Sequence, residues 1–202
     1  MFGCSIMKIN EEIEEYLEKQ NDCVSNIRKN QIHIVEEIFE CLIKCRESEN
    51  RIFLIGNGGS ASTASHFTSD LLKTAITKDT KRFKAYSLTD NMPVVLAWAN
   101  DSSYDEVFKN QLESQIEEND VLITLSGSGN STNVIKANEY ANEVSAHTIA
   151  FTGKDGGKLA KIAKISLVIP SDDMLTIESM HLLICHLLIT MIRKQGKPMF
   201  TY

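Results

Sequence analysis

The sequence predicts an α/β protein: a doubly wound, five-stranded parallel sheet flanked by helices, preceded by an N-terminal helical arm. Three observations carry the prediction. Short apolar runs alternate with helical stretches from Arg51 to the end of the chain. Two of those runs stop abruptly in loops, Gly56-Asn57-Gly58-Gly59-Ser60 and Ser126-Gly127-Ser128-Gly129-Asn130-Ser131, and a helix pattern follows each at once. Ahead of the alternation, apolar residues recur at helical spacing with no strand between them. Repeated β-α units with apolar strands imply parallel strands covered on both faces.

The elements follow in order. From about Lys8 to Arg46 the chain reads as helix in two pieces, with one stripe of Ile9, Ile13, Tyr16 and Leu17. A second stripe of Ile27, Ile34, Ile38 and Leu42 follows the polar break Gln20-Asn21-Asp22. The arm (residues 1–48) is expected to pack either on the sheet or against another subunit, and the first stripe, with no partner nearby in sequence, favours the second. Residues 49–202 form the sheet domain. Strands are expected at Arg51–Ile55, Lys84–Ser87, Asp120–Leu125, His147–Phe151 and Ile165–Ile169. Helices are expected at Ala61–Ala75, Met92–Ala99, Tyr104–Glu117, Thr132–Glu143, Lys158–Ala163 and Met174–Lys194. The last of these is the most apolar part of the chain and long enough to suggest a membrane span. Glu178, His181 and His186 inside it make that costly, so a buried core or interface helix is expected.

Composition bounds the function. At 202 residues, 43% hydrophobic and 24% charged, the chain suits one soluble domain. A formal net charge of −6 argues against a nucleic-acid or anionic-membrane binder, both of which need a basic face. A phosphorylated small molecule remains open, because local dipoles and hydroxyls hold phosphate without global basicity. The five cysteines (Cys4, Cys23, Cys41, Cys45, Cys185) match no zinc-ribbon spacing, and a reducing cytoplasm fits them. The N-terminal MFGCSIMKINEEIEEY has no sustained apolar core and turns acidic, so no secretory signal is expected there, and Met1 and Met7 both stand as starts.

Two loops and one helix carry the chemistry. Gly56–Ser60 lacks the spacing of a dinucleotide fingerprint and no lysine follows it, which excludes a Walker loop. Each loop alone reads equally as a tight strand-to-helix turn. Together, with Ser60, Ser126, Ser128 and Ser131 at strand ends where helices begin, they point to phosphate binding. Ser131 would also serve as a helix cap. His66 and Asp70 are spaced i,i+4 and share one helix face. They read either as a solvated polar pair or as the makings of a metal or proton site. Glu178 and His186, polar groups in an apolar helix, favour the second. They lie eight residues apart, about 12 Å along a straight helix, so one copy of that helix cannot easily bring both to one metal. An oligomer is the natural assembly.

GNGGS followed by His66, the loop Ser126–Ser131 with NVIKA, the segment FTGKDGGKLA and the late Glu-x-x-His-x-x-x-x-His together resemble phosphoheptose isomerases, from about Lys8 to Lys194. These sugar-isomerase (SIS) domain proteins interconvert sedoheptulose 7-phosphate and D-glycero-D-manno-heptose 7-phosphate, the first step toward nucleotide-activated heptose for lipopolysaccharide or capsule. The resemblance implies a cytoplasmic homotetramer with sites at subunit interfaces, one zinc per site, and no nucleic-acid or membrane partner. It assigns Ser60, Ser126, Ser128 and Ser131 to phosphate, with Gly58 and Gly59 in the first loop. Asn57 and Asp101 would line the sugar. His66, Asp70, Glu178 and His186 would hold zinc, with Asp70 as base, His186 as acid/base, and Glu178 also lining the substrate. Three positions depart from the family pattern: Gly127 stands for threonine, Asp70 for glutamate and Glu178 for glutamine. The shorter Asp70 arm matters because a misplacement of about 1 Å can cost ~10²-fold in rate. The same domain also occurs as a non-catalytic phosphosugar sensor and as a replication-initiator-binding adaptor. The adaptor lacks the final histidine, so His186 favours the enzyme.

Overall fold

The computed structural model describes residues 2–200, with side chains from Lys8 onward, so Met1 and the side chains of Cys4 and Met7 lie outside it. Helices α1 (Phe2–Asn30) and α2 (Ile32–Glu47) lead into β1 (Arg51–Gly56) and α3 (Gly59–Ser69). Then follow β2 (Lys84–Ser87), α4 (Met92–Asp101), α5 (Lys109–Leu112), β3 (Val121–Ser126), α6 (Thr132–Glu143), β4 (His147–Gly153), α7 (Leu159–Ile162), β5 (Ile165–Ile169) and α8 (Met174–Arg193). The five strands form one all-parallel sheet in the order β2-β1-β3-β4-β5. The chain runs outward from β1 to β2, then crosses back to β3 on the other side. Gly56 pairs with Leu125, so the loops ending β1 and β3 lie side by side at the point where the strand order reverses. Ligands of open α/β sheets sit at such points.

The central strands are buried along nearly their whole length, which is why they read as continuous apolar runs. Successive residues of β1 serve opposite faces. Ile52 and Leu54 join Ile38, Leu42, Phe67, Ile123, Phe151, Ile184 and Leu188 on one side. Phe53 and Ile55 join Leu112, Leu122, Val134, Ala137 and Ala150 on the other. By length and composition α8 could cross a membrane. Here it lies half-buried against α1, α2, α3, β4 and β5, so its apolar character serves the core.

The N-terminal helices differ from expectation at their break. α1 continues through Gln20-Asn21-Asp22, and the interruption falls at Gln31. Gln20 keeps the helix and donates sideways to Thr176 Oγ1 at 2.9 Å. Gln31 turns its amide to the open edge of β5, donating to Val168 O at 2.8 Å and accepting from Val168 N–H at 3.2 Å. It satisfies the sheet edge as a further strand would. Val35, Ile38 and Leu42 of α2 belong to the main core, as do Cys23 and Ile27 near the end of α1. Ile9, Ile13, Tyr16 and Leu17 stay 40–50% exposed in the single chain.

The segment Tyr104–Glu117 is not one helix but a 3-10 turn at Tyr104–Glu106, the single α-turn α5, and irregular turns. Side chains take the carbonyls an α ladder would use. Gln111 Nε2 donates to Val107 O at 2.8 Å, and Ser114 Oγ and Gln115 Nε2 donate to Gln111 O. The helix expected at Ala61–Ala75 also divides. Its α part ends at Ser69, and Asp70–Thr74 continue as a π-turn.

Candidate active site

The first loop owes its shape to two glycines. Gly58 has φ +55°, a left-handed conformation that favours glycine. Gly56 lies so near the Ser60 backbone that an added Cβ would approach it to 2.7 Å. The turn launches α3 with Gly58 as N-cap and no side-chain cap bond. Ser60 is buried in the first turn. Glu178, reaching across from α8, lays its carboxylate directly against Gly59, where an added Cβ would push it aside. An anion at a helix start is favoured by the helix dipole.

The second loop leans on the loop after β4. Gly153 N–H donates to Gly127 O at 3.1 Å, and Leu159 N–H to Gly129 O at 2.9 Å. Ser131 is the N-cap of α6 but makes no side-chain cap bond, unlike the capping role expected from sequence, so its hydroxyl is not spent on the helix. Ser126 is buried and Ser128 half-buried. Gly127 faces Met174, whose Sδ fills the space a threonine side chain would need.

From the first loop, α3 carries His66 to a cleft of about 470 Å³ between α3, the π-turn and α8. Asp70 stands at the start of the π-turn, a feature that concentrates at functional sites. His66 Nε2 and His186 Nε2 lie 2.9 Å apart. Asp70 Oδ2 is 3.4 Å from the first and 3.8 Å from the second. Two imidazole nitrogens this close need a shared proton or a cation between them, and the carboxylate adds the negative charge that favours either. Asp70 Oδ1 is held separately, accepting from Thr74 Oγ1 at 2.7 Å. Arg193 braces the end of the same turn, donating to Thr74 O at 3.1 Å and to Phe200 O at 2.8 Å. Both histidine side chains are about half exposed, whereas the Asp70 side chain is only 15% exposed.

His66, Asp70 and His186 form a possible metal-holding group, with donor atoms all within 4.8 Å of one another. Two imidazoles and one carboxylate are the ligand types of an open catalytic zinc site, so the residues present fit that ion. Glu178 is not part of the group. It lies two helical turns before His186, beside the first loop. Asp101 ends α4, exposed, accepting from Asn100 Nδ2 at 2.7 Å. Asn57 is half-buried and bonds both Asn133 and Tyr104.

Four contributors escaped the sequence reading: Thr74, Arg193, Asn133 and Tyr104. Thr74 alone left a signal, its i+4 spacing from Asp70. His181, which the sequence also allows as a core histidine bonded to a neighbour, is such a residue. Its Nε2 pairs with Thr152 O at 3.1 Å, its ring meets Phe151 edge-on, and burial pushes its pKa down to about 4.

A family model described as SIS domain matches residues 15–153. Phosphoheptose isomerase of Helicobacter pylori is 39% identical over 175 residues, 87% of each chain. The chain belongs to the phosphoheptose isomerase family. Among solved members of that family, the phosphoheptose isomerase of Neisseria gonorrhoeae superposes with a TM-score of 0.85 at 30% identity, covering 92% of this chain and 99% of its own. The enzyme from Francisella tularensis gives the same TM-score at 28% identity, with 91% and 97% covered. The fold of this chain is thus that of the phosphoheptose isomerases over nine-tenths of its length.

Proposed function

We propose that this isomerase converts sedoheptulose 7-phosphate to D-glycero-D-manno-heptose 7-phosphate by proton transfer through an enediol. The observation that carries this reading is the meeting of Asp70 Oδ2 with His66 and His186 in a cleft reached by α3 from the phosphate-type loops. His66 lies six residues beyond Ser60, about 9 Å of helix, a span an extended seven-carbon sugar phosphate can bridge. Ser126, Ser128 and Ser131, with the N-terminus of α6, hold the phosphate, and Ser60 adds a hydroxyl from the facing loop. The Glu178 carboxylate already lies at the start of α3, which directs the dianionic phosphate toward α6 and leaves Glu178, Asn57 and Asp101 to the sugar.

The ketose then exposes C1 and C2 to the cleft. Asp70 takes a proton from C1, giving the enediol(ate), and returns it to C2. His186 accepts the O1 proton and delivers one to O2, completing the aldose. His66, Asp70 and His186 would hold zinc, which would supply Lewis-acid polarisation of the carbonyl and enediolate oxygens. Thr74 keeps Asp70 Oδ1 occupied, so Oδ2 alone faces the reacting end. The assembly is a homotetramer with sites at its interfaces, working in the cytoplasm on precursors of lipopolysaccharide or capsule.

Purified protein incubated with sedoheptulose 7-phosphate, with and without zinc, tests the reading alongside Asp70→Asn and His186→Ala. The expected result is turnover by the unaltered protein with zinc and its loss in both variants. Saturable binding without turnover would leave a sensor instead.

A further inference from the structure

Asn57 and Asn133 face each other across the point where the strand order reverses, one after β1 and the other in the first turn of α6. Their amides are locked by a chain of assignments that starts in the backbone. Val134 N–H can only donate, and it points at Asn133 Oδ1 at 2.9 Å, which identifies that atom as the oxygen. Asn57 Nδ2 donates to the same oxygen at 2.9 Å, and Asn133 Nδ2 donates back to Asn57 Oδ1 at 2.9 Å. Tyr104 Oη lies 2.7 Å from Asn57 Oδ1. An amide oxygen carries no hydrogen, so the phenol must give its only proton there.

The consequence is a fixed polarity. Asn57 Oδ1 has both lone pairs engaged and cannot accept from a ligand. Asn57 Nδ2 retains one N–H, and Tyr104 Oη retains only lone pairs. Asn133 is 2% exposed, whereas Asn57 is half-buried and Tyr104 exposed, so the two unspent groups belong to the accessible members.

We propose that Asn133 and Tyr104 determine specificity at the sugar end. Asn133 is a positioning residue that keeps Asn57 turned as a donor, and Tyr104 presents an acceptor beside it. One donor next to one acceptor complements two neighbouring sugar hydroxyls, one accepting from the Asn57 N–H and the other donating to the Tyr104 oxygen. A sulfate ion, which brings no proton at neutral pH, gains nothing from Tyr104. This inference rests on the isomerase reading for its substrate class.

The test compares two ligands and two variants. Binding of sedoheptulose 7-phosphate and of sulfate is measured by calorimetry in the unaltered protein, Tyr104→Phe and Asn133→Asp, with kcat and KM beside it. Tyr104→Phe is expected to weaken sedoheptulose 7-phosphate binding and raise KM about tenfold, the worth of one hydrogen bond, while sulfate affinity stays unchanged. Asn133→Asp keeps the shape and the Val134 bond but removes the donor to Asn57. It is expected to raise KM about tenfold with kcat little changed. Equal weakening of both ligands by Tyr104→Phe, or no change in either, would overturn the proposal. Tyr104→Phe decides the matter even where Asn133→Asp fails to fold. Binding with no turnover in the unaltered protein would remove the isomerase reading alone, because the ligand comparison still reads the polarity.

Discussion

On the isomerase reading Asp70 works with a shorter arm than the glutamate of the family pattern, and Thr74 Oγ1 holds its Oδ1. Partners of a metal ligand commonly contribute 10–100-fold to metal affinity. Thr74→Val should therefore lower zinc affinity by about that factor, read by titration against a chelator, with the thermal midpoint of the metal-free protein nearly unchanged. Nearby, burial followed by the Asp70 charge pushes the Cys185 thiol well above its ordinary range, so it stays a neutral core group. His181 gives a second prediction. Its pKa is about 4 in the folded chain against an ordinary 6.5, because burial disfavours the charged ring. The unfolded chain binds the extra proton between those values. The stability tied to this ring is thus whole above pH 6.5 and declines as pH falls toward 4, by at most about 3 kcal/mol. His147, lowered by burial and by Lys164 and Lys44, acts in the same direction. Urea unfolding at pH 7 and pH 4.5 should show the loss, and His181→Gln should flatten it.

All five strands were legible in the sequence from the alternation of strand-like and helical runs. The runs ending at Ser87 and Ile169 match β2 and β5, and the other three strands differ from expectation by a residue or two at their ends. The π-turn and the broken segment after Tyr104 were hidden, because side-chain bonds to backbone carbonyls decide them. The site followed the same division. His66, Asp70 and His186 could be named from spacing and polarity, whereas Asn133 and Tyr104 become visible only when two loops meet across the sheet. The loop after β3 carries an element-scale prediction. Gly127 replaces a threonine of the family pattern, and the Met174 thioether at the start of α8 occupies the vacated space. Gly127→Thr should therefore destabilise the fold by about 1 kcal/mol through overpacking. Adding Met174→Ala should recover most of that, and a double-mutant cycle by chemical denaturation reads the coupling. Additive losses would mean that the two positions do not share the space.

At the scale of the molecule, the single chain leaves much apolar surface uncovered. Ile9, Ile13, Tyr16 and Leu17 form one stripe along the first half of α1. Val24, Ile32, Leu183, Leu187 and Met191 line a groove between the first two helices and α8. No residue of α4 is fully buried: Val95 and Ala99 pack against the core, while Met92, Leu96 and Trp98 stay exposed, although the helix is largely apolar. Patches of this extent on a chain with net charge −6 call for cover by protein, since a basic face for anionic lipid or nucleic acid is missing from the composition. Self-association through α1 meets that need, and it agrees with the isomerase reading that sets sites at subunit interfaces. Light scattering should return four times the 22.6 kDa of one chain. Ile13→Glu with Leu17→Glu places two charges on the exposed stripe without touching the buried core of the sheet domain. The double variant should run as a smaller species, with circular dichroism of a folded α/β protein. Its isomerase rate should fall at the same time, and that rate should rise with protein concentration as assembly is restored. A variant that stays tetrameric would move the interface from α1 to the α8 groove or α4, and one that is small yet fully active would show that each chain carries a complete site.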